Sequence, residues 1–411
     1  MRIAQVSKAD SFGGGASHVA ELIHNCLLNR GYFSHHLASW SGKHYSSDLR
    51  PLYGKFEKEI RRAHILTKKL FAPEVLPYEL FPLKRQIARS DYNLLHFHDL
   101  SSAISPVTLK ALSENLPLIW TIHDCSAVTA GCLYPMGCEK YKKTCFNCPQ
   151  HGTWPVDSKL DFSFISHNQK KSLHKTNNLQ LVTPSKWMAD FINSSGFVKA
   201  DVQVISNGID TSIFTPEARS DISKPISDKS QLKILLSSGD IMDERKGVHF
   251  ALEVLNGLKV LNPKLIIVGN VSDPAKSLFA DFDVVYAGYI SDKKVMSSLY
   301  ATASLFLFCS MADNQPLAVM ESLSSGTPVY GFETGGIPEM IVSGVNGRLS
   351  PQKDVISLTE AIKDDWANRR IDDMSIAARK IALEKFDISL MVDRYVSLYE
   401  RSISNFLSTR G

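Results

Sequence analysis

Two carboxylates within residues 310–339 have the type and spacing for binding a polyhydroxylated ligand. Asp313 and Glu321 are separated by seven residues. A carboxylate accepts hydrogen bonds from two neighbouring hydroxyls at once, and such charge-assisted bonds are about twice as strong as neutral ones. Gly335 and Gly336 follow in the same segment at a predicted helix start, and helix starts attract phosphate. The segment therefore indicates binding of hydroxyl and phosphate groups.

Two short apolar runs enclose the first carboxylate and position it. Residues 305–308 and 328–332 are each bounded well enough to form a buried strand. Between them we expect a helix, because Pro316 suits a first helical turn and Gly326 can end a helix in a left-handed conformation. The unit is then strand, loop, helix, strand. Ligands of parallel sheets bind outside the carboxyl ends of the strands, which is where Asp313 is expected.

The acidic pair, together with SGTPV at 325–329 and GGIPE at 335–339, resembles the E-x7-E region of retaining glycosyltransferases of family 4. That family has the GT-B fold. The resemblance implies that Glu321 holds the ribose hydroxyls of a nucleotide-sugar donor and that Asp313 contacts the hydroxyls of the transferred sugar. The family usually has Glu at the first position, and Asp313 is one methylene shorter.

The same resemblance assigns the leaving diphosphate to a pair of cations. Lys246 matches the family's diphosphate-binding lysine, whereas Gly239-Asp240 stands where the family commonly has Gly-Arg. Arg245 is then the candidate substitute for the missing arginine. Cations are needed because the diphosphate gains negative charge as the glycosyl bond breaks.

The resemblance implies a full set of site residues. The predicted catalytic residues are His123, Asp313 and Lys246. The predicted donor-binding residues are Gly14, Gly15, Arg245, Lys246, Ile290, Asp313, Asn314, Pro316, Leu317, Glu321, Gly335 and Gly336. The charged residues of this set also have a structural interpretation. The two acids would cap a helix or lie exposed on its surface, and the two cations would be solvated. The glycine and proline context favours the donor site.

Two features of the N-terminal half belong to the predicted site. A strand at residues 3–7 leads through Gly13-Gly14-Gly15 into a helix at 16–28, and a glycine-rich turn lets backbone amides approach a phosphate or sugar closely. His123 follows a strand at 118–122, and in the family a histidine at this position lies beside the transferred sugar. The alternatives are a flexible turn without a ligand and a structural histidine.

Five cysteines crowd residues 125–150, the most unusual segment of the chain. Cys132, Cys138, Cys145 and Cys148 have the spacing C-x5-C-x6-C-x2-C, and a C-x2-C pair is a natural chelate for zinc. A structural zinc site is one interpretation; free thiols or a redox-sensitive loop are the others. The segment resembles an insertion in a bacterial exopolysaccharide subset of family 4. It lies beside the expected acceptor side and is predicted to shape acceptor choice.

The length of 411 residues suits two domains of about 200 residues each. The predicted fold class is α/β, GT-B, with two Rossmann-like doubly wound domains facing a central cleft. The predicted segments are an N-terminal acceptor-side domain at 1–216, a linker at 217–231, a nucleotide-sugar-binding domain at 232–387 and a C-terminal helix at 388–411 that crosses back to the first domain. An NGID sequence at 207–210 resembles the family signature at the end of the first domain.

Composition and charge indicate a soluble protein of the cytoplasm. Hydrophobic residues make up 44% of the chain, no apolar run reaches the roughly 18 residues needed to cross a bilayer, and the N-terminus is predicted to be a strand and not a signal peptide. Residues 1–210 carry a net charge of +7 and the remainder −3. Basic residues are not interleaved with exposed aromatics in a recognisable module, so nucleic acid is not an expected partner.

Residues 55–71 form a predicted basic amphipathic helix, of the kind that lies in a membrane interface. One interpretation is peripheral docking on the inner leaflet to reach a lipid-linked acceptor. The other is a helix that buries its apolar face on its own domain.

The sequence as a whole predicts a retaining, metal-independent glycosyltransferase of the hexosyltransferase type. It would move a sugar from a UDP- or GDP-sugar to a glycan or lipid-linked acceptor in bacterial exopolysaccharide or lipopolysaccharide biosynthesis, with no cofactor required for catalysis. The alternatives are a non-catalytic partner subunit that binds a nucleotide sugar and a GT-B-type sugar-nucleotide epimerase.

Overall fold

The computed structural model divides the chain into two compact units. One comprises Met1–Ser206 together with Met391–Gly411, and the other is Asn207–Leu390. The described residues are 1–10, 13–41, 49–72, 74–101, 103–222 and 230–409. Part of the predicted glycine loop (Ser11 and Phe12), the middle of the predicted linker (223–229) and the last two residues lie outside this description.

The first unit is built on a parallel sheet of seven strands. The strands are β1 (Arg2–Ala9), β2 (Phe33–Trp40), β3 (Leu49–Pro51), β4 (Leu94–Phe97), β5 (Leu118–Thr121), β6 (Leu179–Thr183) and β7 (Val202–Val204). They are ordered β3-β2-β1-β4-β5-β6-β7. The helices are α1 (Gly15–Asn29), α2 (Glu57–Leu70), α3 (Leu80–Ser90), α4 (Pro106–Ser113), α5 (Ser163–Leu173) and α6 (Lys186–Asn193).

Burial explains why the central strand β1 forms where the sequence predicts it. Ile3, Ala4 and Val6 are all fully buried, as expected for a parallel strand covered by helices on both faces. The chain order runs outward from β1 to β3 in one direction and from β4 to β7 in the other. Ligands of doubly wound sheets bind where this order reverses, which here is at the ends of β1 and β4.

The second unit contains a parallel sheet of six strands. The strands are β8 (Lys233–Asp240), β9 (Lys264–Asn270), β10 (Asp283–Gly288), β11 (Leu305–Phe308), β12 (Val329–Phe332) and β13 (Gly347–Ser350), ordered β10-β9-β8-β11-β12-β13. The helices are α7 (Val248–Gly257), α8 (Asp273–Ser277), α9 (Lys293–Thr302), α10 (Leu317–Ser324), α11 (Val355–Ala367) and α12 (Arg370–Lys385), and α13 (Ile388–Ser408) follows. The order reverses between β8 and β11, so the ligand position of this sheet is at the ends of these two strands.

The predicted strand, loop, helix, strand unit is confirmed as β11, α10 and β12. Pro316 lies at the N-cap of α10, and Gly326, just after its end, has a φ of +74°. The apolar face of α10 is buried, with Val319, Met320 and Leu323 fully enclosed. This packing fixes the helix over the sheet and sets the position of its first turn.

The predicted second helix start at Gly335 and Gly336 is shorter than expected. It is a single 3-10 turn, Ile337–Glu339, because the chain turns again at once to enter β13. The Val342 backbone N–H donates to Asn346 Oδ1 at 2.7 Å in that turn. Among the helices of the described residues, none is long and apolar enough to cross a bilayer.

Candidate active site

Lys246 and Asp313 form an ion pair in the second unit. The Lys246 Nζ lies 2.8 Å from Asp313 Oδ2. Ser310 Oγ donates a second hydrogen bond to the same oxygen, at 2.7 Å. Asp313 Oδ1 accepts no hydrogen bond from the described residues. One oxygen of the carboxylate is therefore fixed, and the other can accept from a ligand hydroxyl.

A close backbone approach explains how Lys246 reaches the end of β11. The following residue, Gly247, has a φ of +67°, and a Cβ there would lie 2.1 Å from the carbonyl oxygen of Cys309. Only glycine fits that conformation and that spacing. The Met311 N–H donates to the carbonyl of Arg245 at 2.8 Å, which joins the turn to the strand end. The loops after β8 and β11 are thus held together.

The predicted Gly335 turn packs on the same carboxylate residue. Gly335 has a φ of +57°, and a Cβ on it would lie 1.8 Å from the backbone oxygen of Asp313. The Gly336 N–H points to that oxygen at 3.4 Å. The structure therefore brings together Lys246, Asp313 and the two glycines, which the sequence predicted as parts of one donor site.

Glu321 lies on α10, half-buried, and its carboxylate is 3.5 Å from the Tyr300 hydroxyl, which donates to Oε2. Burial raises the pKa of Glu321 to about 7, an effect that the charge of Lys293 and the Tyr300 hydrogen bond reduce. This acid is therefore only partly ionised at neutral pH without a ligand. Hydroxyl donors from a ligand would favour its charged form.

Arg245 differs from Lys246 in its partner. Its guanidinium Nη2 is 3.2 Å from Asp243 Oδ2, and both side chains are partly exposed. Asp243 also accepts from the Arg245 backbone N–H at 2.9 Å and so caps the turn. The side chain of Asp240, at the position where the family commonly has arginine, lies outside the described residues.

The remaining predicted donor residues of this unit lie around α10. Asn314 is buried, Pro316 and Leu317 start the helix, and Ile290 packs against the apolar cluster to which α10 contributes. Gln315 was not predicted. Its Oε1 accepts from the Asn207 N–H at 2.7 Å, and its carbonyl accepts from Asn207 Nδ2 at 3.1 Å. The NGID segment therefore fixes the loop that precedes α10.

His123 lies in the first unit at the end of a buried polar network. Its Nε2 is 3.4 Å from Nδ1 of His98, and His98 Nε2 is 2.8 Å from Gln5 Oε1. Gln5 donates to the Tyr399 hydroxyl at 3.1 Å, which also bonds His96 Nδ1 at 2.7 Å. Burial lowers the pKa of His123 to about 4, so its ring is neutral at pH 7. A neutral imidazole can exchange hydrogen bonds with a hydroxyl.

Gly14 and Gly15 begin α1 next to open space. Gly14 has a φ of +108° at the N-cap, and Gly15 is the first helical residue. A Cβ on either would meet nothing within 4 Å. The start of this 15-residue helix is therefore accessible to a ligand's phosphate or hydroxyl groups, as the sequence predicted for a backbone approach.

The four predicted zinc ligands line one small cavity of about 20 Å³: Cys132, Cys138, Cys145 and Cys148. Among the described residues, no group of three or more His, Cys, Asp and Glu side chains is placed so that it could hold a metal ion. Burial raises the pKa of Cys132 to about 12 and that of Cys145 to about 11. These thiols are therefore protonated in this arrangement, and the zinc site stays a prediction.

Several residues that complete these sites were missed by sequence reasoning. They are Gln5, His98, Gly247, Tyr300, Ser310 and Gln315. Gly247 follows the predicted Lys246, Gln315 lies between the predicted Asn314 and Pro316, and Ser310 is three positions before Asp313, so the sequence places these three near the predicted site. The others act through contacts that are distant in sequence, which neither periodicity nor spacing reveals.

Comparison with sequence families gives two matches. Residues 12–213 match the model described as Glycosyltransferase Family 4, and residues 232–368 match that described as Glycosyl transferases group 1. A putative colanic acid biosynthesis glycosyl transferase of Escherichia coli K12, WcaC, is 25% identical over 405 residues, which is 94% of this chain and 96% of that protein.

Solved structures of low sequence identity share the architecture. Sucrose-phosphate synthase from Thermosynechococcus elongatus superposes with a TM-score of 0.73 at 16% identity, over 98% of this chain and 100% of that one. HepE from Anabaena, determined in complex with UDP and glucose, superposes with a TM-score of 0.66 at 16% identity, over 97% and 99% of the two chains. At these identities the similarity concerns the fold.

Proposed function

This chain belongs to glycosyltransferase family 4 and has the GT-B fold, and from this we propose that it transfers a sugar from a nucleotide-sugar donor to a glycan or lipid-linked acceptor. The transfer would retain the anomeric configuration. The observation that carries the proposal is the Lys246–Asp313 ion pair, built beside the Gly335 turn and the start of α10 at the reversal point of the second sheet.

We assign the donor contacts from this arrangement. The free Oδ1 of Asp313 would accept from hydroxyls of the transferred sugar, and Glu321 from the ribose hydroxyls. Lys246, with Arg245, would bind the diphosphate, and the amides after Gly335 would add neutral donors. Backbone groups near Ile290 would meet the base. UDP and GDP donors both remain candidates.

Catalysis would rest on stabilising the leaving diphosphate as its negative charge grows. Lys246 is fixed by its ion pair, so it needs little reorganisation when charge develops nearby, and preorganised charges of this kind supply much of the rate enhancement in many enzymes. Lys246 and Arg245 would supply this positive charge in a metal-independent mechanism. His123, neutral at the end of its network, would help position the acceptor hydroxyl, which attacks from the face that the diphosphate leaves.

We place the reaction in the assembly of a bacterial exopolysaccharide or lipopolysaccharide. Support comes from the similarity to a colanic acid biosynthesis protein along nearly the whole of both chains. The acceptor would then be a growing glycan carried on a lipid, at the cytoplasmic face of the membrane.

Helix α2 favours peripheral contact with that membrane. All of α2 is described, and His64 is its only buried residue, whereas Leu66 and Leu70 are exposed together with Arg62 and Lys69. Each basic residue near an anionic lipid surface contributes about 1 kcal/mol. We propose that α2 docks on anionic lipids; vesicles of phosphatidylglycerol should bind the protein at low salt. Leu66→Asp should weaken this binding and Val260→Asp, on an exposed site of the second unit, should not.

The decisive experiment is detection of nucleoside diphosphate released from a panel of UDP- and GDP-sugars, using the wild-type protein and Glu321→Ala. Glu360→Ala, which removes an exposed acid on α11, is the control. We expect release from one donor, loss of release in Glu321→Ala and no change in the control. A donor that binds with equal affinity to the Glu321 variant and the wild type would contradict the assignment of the ribose contact.

A further inference from the structure

The first unit contains a cavity of about 210 Å³ beside α2, here named the α2 pocket. Its wall includes Lys8, Trp40, Arg61, His64, Lys68 and Trp154. Lys8 and Trp40 lie at the carboxyl ends of β1 and β2, the edge of the sheet at which ligands bind. The volume is below the roughly 300–1,000 Å³ of pockets for drug-sized ligands, so it suits one small ring.

Some charged side chains of the wall have an ion-pair partner and others do not. Lys68 pairs with Asp157 at 2.7 Å, and the acidic wall residue Glu74 lies 3.7 Å from Lys170. Lys8 and Arg61, by contrast, have no carboxylate within ion-pair distance among the described residues. The α2 pocket therefore presents two uncompensated positive charges.

Each of these cations lies over an indole ring. The Arg61 guanidinium carbon is 5.9 Å from the centroid of Trp40, and the Lys8 Nζ is 5.3 Å from that of Trp154. Trp154 is 57% exposed, a large apolar face turned toward solvent at the wall of a cavity. Flat aromatic faces beside a few polar groups are typical of pockets that hold a ring with an apolar face.

A buried polar atom in the wall lacks a partner. His64 is 8% exposed, and its Nε2 forms no hydrogen bond with the described residues. An unsatisfied buried polar atom costs about 1–3 kcal/mol, which a ligand hydroxyl would offset. Burial lowers the pKa of His64 to about 4, so the ring is neutral at pH 7 and suits a hydroxyl. Its packing against Trp40, with ring centroids 5.2 Å apart, fixes its orientation.

From this geometry we propose that the α2 pocket binds a sugar ring that carries an anionic group, either a phosphate or a carboxylate, as part of the acceptor. The indoles contact the ring, Arg61 and Lys8 pair with the anion, and His64 bonds a hydroxyl. A sugar phosphate on a lipid and a uronic acid in a glycan share this chemistry. The role as acceptor site rests on the proposed glycosyltransferase function; the binding itself does not.

Binding can be measured on the full-length protein by saturation-transfer NMR titration with glucose 1-phosphate, glucuronic acid and glucose. We expect at least one anionic sugar to bind about tenfold more tightly than glucose. A phosphate preference would identify a sugar phosphate, and a carboxylate preference a uronic acid. Equal binding of all three sugars, or no binding, overturns the proposal.

Matched variants locate the binding. Arg61→Gln should lower the affinity for the anionic sugar about tenfold, whereas Arg85→Gln, which changes an exposed arginine of α3 outside the pocket wall, should leave it unchanged. Trp154→Ala should weaken binding of glucose and of the anionic sugars alike. Equal effects of the two arginine variants would overturn the assignment.

Nucleotide-sugar binding, measured in the same samples, separates this proposal from the proposed function. Glu321→Ala should lose the nucleotide sugar and keep the anionic sugar. If the nucleotide sugar binds but the effect of Arg61→Gln is absent, the α2 pocket is refuted and the transferase proposal stands. If no nucleotide sugar binds while Arg61→Gln still acts, the transferase proposal fails and the pocket remains an anionic-sugar site.

Discussion

The affinity for the nucleotide sugar should depend on pH through Glu321. Its carboxylate is assigned to the ribose hydroxyls, and burial raises its pKa to about 7. The groups that face it are the charged Lys293 and the neutral hydroxyl of Tyr300, and both lower this pKa. A carboxylate accepts two hydroxyl bonds, whereas a protonated acid accepts less well. Donor binding should therefore weaken as the pH falls through the pKa of Glu321.

The size of the effect follows from the ionised fraction. With a pKa of about 7, this fraction is about nine-tenths at pH 8 and about one-tenth at pH 6. If only the ionised form binds, the dissociation constant for the donor rises about tenfold between these two values.

Isothermal titration calorimetry with the nucleotide sugar from pH 6 to 8 measures how the dissociation constant changes with pH. A nucleotide sugar is preferable to a free nucleoside diphosphate, whose terminal phosphate itself titrates at about pH 6. Glu321→Gln is the matched control, since it has nearly the same shape and no charge. We expect it to bind about 30-fold more weakly at pH 8, for a loss of about 2 kcal/mol, and to show a flat pH profile.

Two results would refute this reasoning. A wild-type affinity that stays constant between pH 6 and 8 would mean that the charge of Glu321 is not used in binding. A Glu321→Gln variant with the wild-type slope would assign the titration to another group. The Glu321→Gln variant should also be at least as stable as the wild type at pH 8. Because the pKa of Glu321 in the folded state is above its usual value, ionised Glu321 destabilises the fold above about pH 7. The substitution removes that charge.

Three further outcomes test the remaining assignments. Gly335→Ala should lower the stability of the fold and abolish donor turnover, because the added Cβ would lie 1.8 Å from the Asp313 carbonyl oxygen. Gly344→Ala is the control: Gly344 also has a positive φ, but a Cβ there would meet nothing within 4 Å. This control should lose only about 1 kcal/mol of stability in thermal unfolding and keep turnover. Ser310→Ala removes a hydrogen bond to Asp313, which is assigned to the transferred sugar. It should weaken nucleotide-sugar binding about fivefold, for a loss of about 1 kcal/mol, and leave the affinity for the nucleoside diphosphate unchanged. Equal losses for both ligands would contradict the role of Asp313. Mass spectrometry of protein purified without chelator or added zinc decides between a structural zinc site, which requires about one equivalent of zinc, and free thiols. If zinc is bound, Cys132→Ser should lower this content and Cys26→Ser should not; metal well below one equivalent in the wild type would exclude the zinc site.

The local structure around the proposed donor site was largely predictable from the sequence, since its signals are local. In the run from β11 through α10 to β12, Gly326 has the predicted left-handed conformation after the helix, and Pro316 lies at the N-cap, one residue before the first turn in which it was predicted. Gly335 was predicted as part of a phosphate site, but its close packing on the Asp313 carbonyl could not be predicted. That packing depends on where β11 and β12 lie in the sheet.

The first unit was less predictable because its strands carry buried polar residues. Strand β2 contains Ser34, His35 and His36, which are buried but give no hydrophobic pattern. His35 and His36 find their partners in Tyr92 and Ser7, from other elements. The network behind His123 arises in the same way. Such networks are fully satisfied only in the folded chain, so their members cannot be recognised by residue type alone.

The aspartate at position 313 is consistent with a donor site that is rigid before the donor binds. Lys246 and Ser310 both bind Oδ2, and the backbone carbonyl of Asp313 lies against Gly335. A shorter side chain has one rotatable bond fewer than glutamate, so less conformational entropy is lost when it is fixed. Its free oxygen, Oδ1, then has a defined position relative to the Lys246 ammonium. The substitution that departs from the family's usual glutamate therefore keeps the charge and the hydrogen-bonding capacity, and places them by contacts that the neighbouring loops supply.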